Sequence, residues 1–337
     1  MKKYSSAKPL PASISVVIPN YNGKQLLEDN LPSVYAALTF FQNAFEIIII
    51  DDASADASAA FIQEQYPEIK LLINETNRGF SPTVNTGIFA SKNELVFVLN
   101  SDVQLTPDYF NEQLKYFGDP DTFGVMGKII DFNSPDIQDG AKFPQISFKG
   151  IKTTYNYISL TEIPSKTWLP SFFLSGANAL IDRKKLLALG GFDEIYAPYY
   201  YEDADLGIRA WRAGWKCYFE PNSICMHAAS STIGKLKSEK VKIIVERNRI
   251  TFNQLHLSGN QLLFFKCWLQ LRCFFKLLKG SSTIYKAIKL FNKNHTLLVH
   301  SKQTLNILQK KNNVNYTAYD IEQLILKEIE SIRYRIF

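Results

Sequence analysis

Residues 94–102 read Glu-Leu-Val-Phe-Val-Leu-Asn-Ser-Asp. Five apolar residues in succession, Leu95–Leu99, are followed at once by three polar ones. An uninterrupted apolar run of this length predicts a strand buried on both faces, the kind found in parallel sheets covered by helices. Working outward, the pattern recurs: Ile14–Ile18 between Pro11 and Pro19, Phe45–Ile50 ending in Asp51-Asp52, and Ile69–Ile73. Helical stretches alternate with these strands. Lys24–Leu38 is entered through Asn22-Gly23, Ser54–Tyr66 is capped by Ser54, Ser81–Ala90 has Ser81 as cap and Pro82 in its first turn, and Pro107–Phe117 follows. This alternation specifies an α/β fold with a mainly parallel central sheet and helices on both faces. Ligands of such folds gather beyond the carboxyl ends of the strands, and Asn20, Asp51, Asp52, Asn100 and Asp102 all fall there.

Residues 131–172 are irregular, with loops and short antiparallel strands expected over one side of that edge. Beyond them come a short strand at Asn178–Ile181, a helix at Arg183–Leu189 closed by Gly190-Gly191, a helix at Glu202–Ala213 closed by Gly214, and two short strands at Lys216–Phe219 and Ile224–His227. Near 228–240 the chain turns small, polar and basic. Helical patterns then cover 241–257, 261–279, 283–290 and 321–334. The organisation is one unit over 1–230, in two parts (14–130 and 131–230), followed by a helical C-terminal region over 231–337.

The 337 residues carry a net charge of +6, but unevenly. Residues 1–227 hold 19 basic and 26 acidic side chains, net −7, and residues 228–337 hold 19 and 6, net +13. A basic tail on an acidic body points to an anionic partner. Four cysteines without a CxxC pair read as reduced thiols of a cytosolic protein. No apolar segment is long enough to span a bilayer, and the N-terminus lacks the apolar core of a signal peptide.

Four places carry chemistry. Asp102, at a strand end, suits a divalent ion bridging phosphates, or merely caps a turn. His227 ends another strand and is either a metal ligand or an imidazole satisfied by a carbonyl. Tyr199–Asp205 (YYYEDAD) brings three carboxylates to a helix start behind three aromatics. Acidic residues suit that end of the helix dipole, and a carboxylate desolvated by aromatic walls also becomes a base. Asp205 stands four residues before Arg209, the spacing of a structural pair. Gly79, Gly87 and Arg78 allow close approach of a phosphate to a helix N-terminus, without the spacing of a P-loop or dinucleotide fingerprint.

Together, VVIPNYN (16–22), IIIIDDASADAS (47–58), NRGFSPTVNTGI (77–88), VFVLNSDVQLTPD (96–108), SGANALIDRKKLLALGGFDE (175–194), YYEDADLGIRAWRAGWKCYFEP (200–221) and His227 resemble the family 2 inverting glycosyltransferases of GT-A fold, most closely the rhamnosyltransferase-like enzymes of bacterial surface polysaccharide synthesis. The resemblance spans about two-thirds of the chain. It implies a nucleoside-diphosphate-sugar donor (UDP- or dTDP-sugar) bound along 14–130 and an acceptor side over 131–230. Pro19, Asn20 and Tyr21 would lie along the nucleoside, Asp51 on the base, and Arg78 and Asn85 near ribose or phosphates. Gly176 would allow backbone approach to the sugar. The family's DxD element falls on Asn100-Ser101-Asp102, where Asn replaces the first Asp. That makes Asp102 the principal carboxylate ligand of a divalent metal, Mn or Mg, with His227 as second ligand. The family's ED element falls on Glu202-Asp203, with Asp203 as catalytic base. Trp168 and Tyr199–Tyr201 would stack on sugars or pack in the core. Arg247-Asn248-Arg249 would contact a diphosphate or form a solvated helix face, and 230–238 would close over the donor.

In the tail, Leu263, Phe264, Cys267, Trp268, Leu271, Phe274, Phe275 and Leu278 share one helical arc, with Lys266, Arg272, Lys276 and Lys279 largely opposite. That arc either lies on an anionic membrane or packs against the body. A lipid-linked saccharide acceptor on the inner face of the plasma membrane, which the resemblance implies, agrees with a peripheral location. The rival readings are a nucleotidyltransferase, which lacks its basic glycine-rich loop here, and a non-catalytic GT-A binding protein. No nucleic-acid motif is present.

Overall fold

The computed structural model describes residues 10, 11, 13–132, 137–154, 168–227 and 238–336. The central strands are β1 (Ser13–Asn20), β2 (Ala44–Asp51), β3 (Lys70–Ile73), β4 (Leu95–Leu99), β5 (Val103–Leu105), β6 (Thr122–Asp131), β7 (Ile137–Asp139), β10 (Leu169–Pro170), β11 (Asn178–Asp182) and β12 (Lys216–His227). They form one sheet in the order β10-β12-β6-β11-β4-β1-β2-β3, with β5 on β12 and β7 on β6. Pairs β1–β2, β1–β4, β2–β3 and β6–β12 are parallel; β11 runs antiparallel between β4 and β6. A separate hairpin joins β8 (Phe143–Ser147) and β9 (Gly150–Thr154).

Strand pleating explains why the apolar runs are continuous. Ile47 and Ile49 enter one core with α1 (Lys24–Phe41), while Ile48 and Ile50 enter the other with α3 (Phe80–Ala90). α4 (Arg183–Leu189) has Asp182 as N-cap and Gly190 in the left-handed conformation as C-cap. α5 (Glu202–Arg212) follows.

Four local expectations are corrected. α2 (Ser58–Gln65) begins at Ser58, not Ser54, because Ser54 is drawn into the strand-end loop: its hydroxyl accepts from Asn22 N (2.8 Å) and its own N donates to Asp51 (2.8 Å). Gly79, not Ser81, precedes α3. Residues 107–117 form tight i→i+3 turns and a 3₁₀ segment, Leu114–Gly118, instead of an α-helix. Neighbouring Tyr109 and Phe110 are both buried against Phe97, which is hard to reconcile with the 100° between successive helix positions. The two strands expected at 216–219 and 224–227 are one, β12, with its register shifted between Glu220 and Ile224.

The C-terminal region comprises α6 (Glu239–His256), α7 (Gly259–Leu278), α8 (Thr283–Lys293), α9 (His295–Lys311) and α10 (Ala318–Ile336). The sequence pattern had not singled out α9. These helices share one apolar core with the sheet: Ile250, Phe252, Leu298, Leu308 and Ile325 belong to the same cluster as Val17 and Val98. Polar contacts reinforce the join. Gln309 Nε2 donates to Arg212 O (3.1 Å), Asn312 Nδ2 to Ala213 O (2.8 Å), and Ile146 N to Glu322 (2.8 Å).

Candidate active site

The carboxyl edge of the sheet gathers most of the expected residues. β1 and β2 end in register, Asn20 opposite Asp51. Asn20 Nδ2 donates to Asp51 Oδ2 (3.1 Å), while Asn20 Oδ1 is buried without a partner. Pro19 is half-buried and Tyr21 exposed beside them. The neighbouring Asp52 is more constrained than the sequence indicates. Its carboxylate accepts from Arg78 N (2.9 Å), Gly79 N (2.9 Å) and Asn74 Nδ2 (2.8 Å), fixing the turn into α3. Gly79 has φ +83°, and a Cβ there would stand 2.6 Å from Pro198 Cα, so only glycine fits.

Next in the sheet, Asn100-Ser101-Asp102 leave β4. Asn100 N donates to Ala177 O (3.2 Å), and Ser101 O accepts from Asn30 Nδ2 (3.0 Å). β5 then pairs antiparallel with the end of β12, with His227 opposite Val103. That register brings His227 to Asp102 across 125 residues of chain: Nε2 to Oδ2 is 3.1 Å. On its other side His227 Nδ1 lies 2.9 Å from Gln138 Oε1, and Gln138 Nε2 donates to Asp131 (2.7 Å) and to His227 O (3.1 Å). The Asp102 hydrogen bond leads the upward shift of the imidazole pKa. Asp102 Oδ1 is buried without a partner. Among the described residues no three His, Cys, Asp or Glu side chains gather as a metal cage. The orphaned carboxylate oxygen of Asp102 beside the His227 imidazole is a donor pair that fits a divalent cation of borderline character.

Asp203 stands in the first turn of α5, half-buried, with Oδ1 accepting from Ala204 N (2.7 Å). Burial raises its pKa, against the opposing charge of Lys142. Glu202 is raised by burial and by Asp203 beside it, and its Oε2 has no partner. Asp139 on β7, paired with Lys142 (2.8 Å), adds to the upward shift of both Asp203 and His227. The Asp205–Arg209 pair is structural: the carboxylate accepts from Arg209 Nε (2.5 Å), Tyr196 OH (3.0 Å) and His256 Nε2 (2.8 Å), all buried.

Other expectations move. Asn85 is buried and its amide is committed elsewhere: Nδ2 donates to Phe192 O (2.8 Å) and Oδ1 accepts from Phe192 N (2.9 Å), so it ties α3 to the turn after α4 instead of meeting a donor. Arg78 keeps a half-exposed side chain 3.7 Å from Glu194. Gly176 packs under Phe80, whose Cζ would lie 3.0 Å from a Cβ there. Trp168 is a core ring between Tyr116 (4.7 Å) and Tyr218 (5.3 Å), and Tyr201 packs on Phe252. Arg247-Asn248 grip backbone carbonyls, and Arg249 pairs with Glu246. Gln138 was missed; it sits in the irregular segment, where no periodicity marks it. Of the segment 230–238, expected to close over a donor, residues 230–237 lie outside the described residues, and Ser238 caps α6.

Comparison with known proteins gives the fold and the family. An N-acetylglucosaminyl-diphospho-decaprenol L-rhamnosyltransferase of Mycobacterium tuberculosis is 27% identical over 248 residues, 66% of this chain and 78% of that protein. An undecaprenyl-phosphate 4-deoxy-4-formamido-L-arabinose transferase of Pseudomonas fluorescens is 33% identical over 107 residues, covering 30% of this chain and only 31% of that protein. Among solved structures, GalNAc-T7 with UDP, GalNAc and Mn2+ superposes with a TM-score of 0.65 at 17% identity, over 96% of this chain and 57% of that one. A Pyrobaculum calidifontis mannosyltransferase with GDP-Man and Mn2+ gives 0.51 at 16% identity, over 96% and 86%. These structures share the GT-A fold. The glycosyl transferase family 2 model matches residues 15–190, more than half of the chain, and the chain belongs to glycosyltransferase family 2.

Proposed function

We propose that the protein is an inverting glycosyltransferase moving a sugar from a UDP- or dTDP-sugar to a lipid-linked saccharide, with Asp203 as general base and a divalent metal, Mn or Mg, held by Asp102 and His227. One observation carries this reading: Asp102, with an orphaned oxygen, meets His227 at the sheet edge while Asp203, held up in pKa by burial, stands within electrostatic reach of the same Asp139. Asp203 takes the proton of an acceptor hydroxyl. That oxygen bonds to the anomeric carbon from the face opposite the diphosphate, and the anomeric C–O bond breaks with its electron pair leaving on the nucleoside diphosphate. A bound divalent cation would neutralise charge developing on that leaving group. Asn20 and Asp51 would hold the nucleoside, and Gln138 orients His227. Burial raises both Glu202 and Asp203, and the base role goes to Asp203 because it falls on the catalytic position of the family's ED element.

The acceptor class follows the Mycobacterium relative, whose name specifies a diphospho-decaprenol acceptor, and an unusual helix surface. α7 docks on the body through Phe265, Leu269 and Cys273. The opposite arc, Leu263, Phe264, Cys267, Leu271, Phe274, Phe275 and Leu278, is exposed, Leu278 to 68%. Lys266, Lys276 and Lys279 are exposed around it, whereas Arg272 turns inward to Glu246 (2.5 Å). An apolar arc edged by lysines in a tail of net +13 fits an anionic lipid surface. No described helix is long and apolar enough to cross a membrane.

Two experiments test this. In a thermal-shift screen, UDP- and dTDP-sugars with Mn or Mg raise the melting temperature; a screen in which none does refutes the donor class. In flotation, the protein rises with vesicles of phosphatidylglycerol and not with phosphatidylcholine alone; no association at low salt refutes the membrane surface.

A further inference from the structure

The loop leading into the base is held by the C-terminal region. Tyr200 and Tyr201 have φ +74° and +78°, backbone that aromatic residues rarely adopt and that persists only when its surroundings impose it. α6 supplies the constraint. Asn248 is wholly buried, and its Nδ2 donates to Tyr196 O (2.7 Å), Tyr199 O (2.8 Å) and Tyr200 O (2.9 Å). Two N–H groups thus serve three carbonyls. Asn248 Oδ1 accepts from Arg247 Nε (2.8 Å), and Arg247 Nη2 donates to Ala197 O (2.5 Å) and Tyr196 O (3.2 Å). One turn on, Phe252 packs on Tyr201 (ring centroids 5.5 Å apart), and a turn later His256 meets Asp205. From the other side Phe80 N, at the start of α3, donates to Pro198 O (2.9 Å). The loop is therefore clamped between α6 and the donor-side helix, directly before Glu202-Asp203.

We propose that Asn248, supported by Arg247, is a positioning residue for glycosyl transfer: it imposes the backbone path of Tyr196–Tyr201 that presents Asp203 to the acceptor hydroxyl. The inference rests on the reading of Asp203 as base given above. The residue type follows from the chemistry. A buried site ringed by carbonyl oxygens needs an uncharged side chain with two donors; aspartate offers none and alanine leaves the carbonyls short of partners. The basic tail thereby completes the catalytic apparatus.

The test uses full-length Asn248→Ala, Asn248→Asp, Arg247→Ala and Arg247→Lys beside Asp203→Asn. Turnover is followed with dTDP-rhamnose and an N-acetylglucosaminyl-diphospholipid, or with whichever UDP- or dTDP-sugar the screen selects. UDP and dTDP affinity is read by calorimetry with Mn, and amide hydrogen exchange over 196–206 by mass spectrometry. Asn248→Ala and Arg247→Ala are expected to lower kcat on the order of 10²-fold. Donor KM and nucleotide affinity stay within about twofold. Exchange in 196–206 accelerates while β1 and β4 remain protected, and Arg247→Lys restores most of the turnover. A folded Asn248→Ala with near wild-type kcat overturns the proposal, as does a parallel loss of nucleotide affinity. Where Asn248→Ala does not fold, unchanged kcat in Arg247→Ala overturns it equally. If Asp203→Asn keeps wild-type turnover, the base reading fails; if Asp203→Asn is inactive beside an active Asn248→Ala, only the positioning role fails.

Discussion

His256 makes a quantitative prediction about acid stability. It is buried at the join of α5 and α6, with Nε2 2.8 Å from Asp205 Oδ1 and Nδ1 3.3 Å from Arg212 Nη1. A neutral imidazole protonated on Nε2 satisfies both contacts, donating to Asp205 and accepting from Arg212. An imidazolium would set a proton against the guanidinium. Burial therefore lowers the pKa from 6.5 to about 4, despite the opposing pull of Asp205. Between these values the unfolded chain binds a proton that the native protein does not, so stability falls as pH drops from 6.5 towards 4. Above and below that window His256 contributes no slope. The full loss is about 3 kcal/mol, of which about 2 kcal/mol is gone by pH 5. Asp205 is itself lowered below 3.8, so its own titration lies outside the window. Urea unfolding followed by tryptophan fluorescence at pH 7.5 and 5.0 reads this out. His256→Gln is the control, because glutamine can donate to Asp205 and accept from Arg212 without titrating. Wild type should lose about 2 kcal/mol more than His256→Gln between the two pH values. Equal losses in the two proteins would refute the assignment of a neutral His256.

Further outcomes follow from the same geometry. Asp203 must be ionised to accept a proton, and its pKa is raised by burial, so kcat/KM should fall on the acid side with a midpoint above the ordinary aspartate value of 3.8; Asp203→Asn should cost about 10²–10⁴-fold in turnover while nucleotide binding survives. Asp52→Ala strips partners from Arg78 N, Gly79 N and Asn74 Nδ2 and should destabilise the protein by about 3 kcal/mol in chemical denaturation. Gly79→Ala forces a Cβ against Pro198 at positive φ, and should cost about 2 kcal/mol together with a raised donor KM. The double variant Leu271→Glu/Phe274→Glu changes only exposed positions of α7; vesicle binding should drop about tenfold or more with an unchanged melting temperature.

Much of this was legible in the sequence, for identifiable reasons. Continuous runs such as Ile47–Ile50 can only be strands buried on both faces, and in a parallel sheet the residue after each run lies at the ligand edge. Asp51 and Asp102 therefore came with their positions, whereas Asp203 was marked by the cluster of carboxylates at a helix start and by the resemblance. Asn85 was placed near ribose or phosphates by the resemblance, whereas its amide is held by Phe192, 107 residues away. Arg247-Asn248-Arg249 was open to two readings, a diphosphate contact or a solvated helix face, and neither supplies the acceptors of Arg247 and Asn248, which are carbonyls of a loop some fifty residues earlier. The arc on α7 was legible as apolar, but which side would dock was not, since the helix is apolar on two opposite sides.

By itself the sequence determined the order of strands and helices, the family, the acidic body with its basic tail, and the identity of the residues at the strand ends. These depend on local periodicity and on motifs read within a few residues. Only the tertiary structure decided which of those residues meet: Asp102 with His227 through the β5–β12 register, Asp205 with His256 through the α5–α6 contact, and Asn248 with the loop before Asp203. Each pair is far apart in the chain, and its geometry is imposed by burial and by the need to satisfy every buried polar group, which no local pattern encodes.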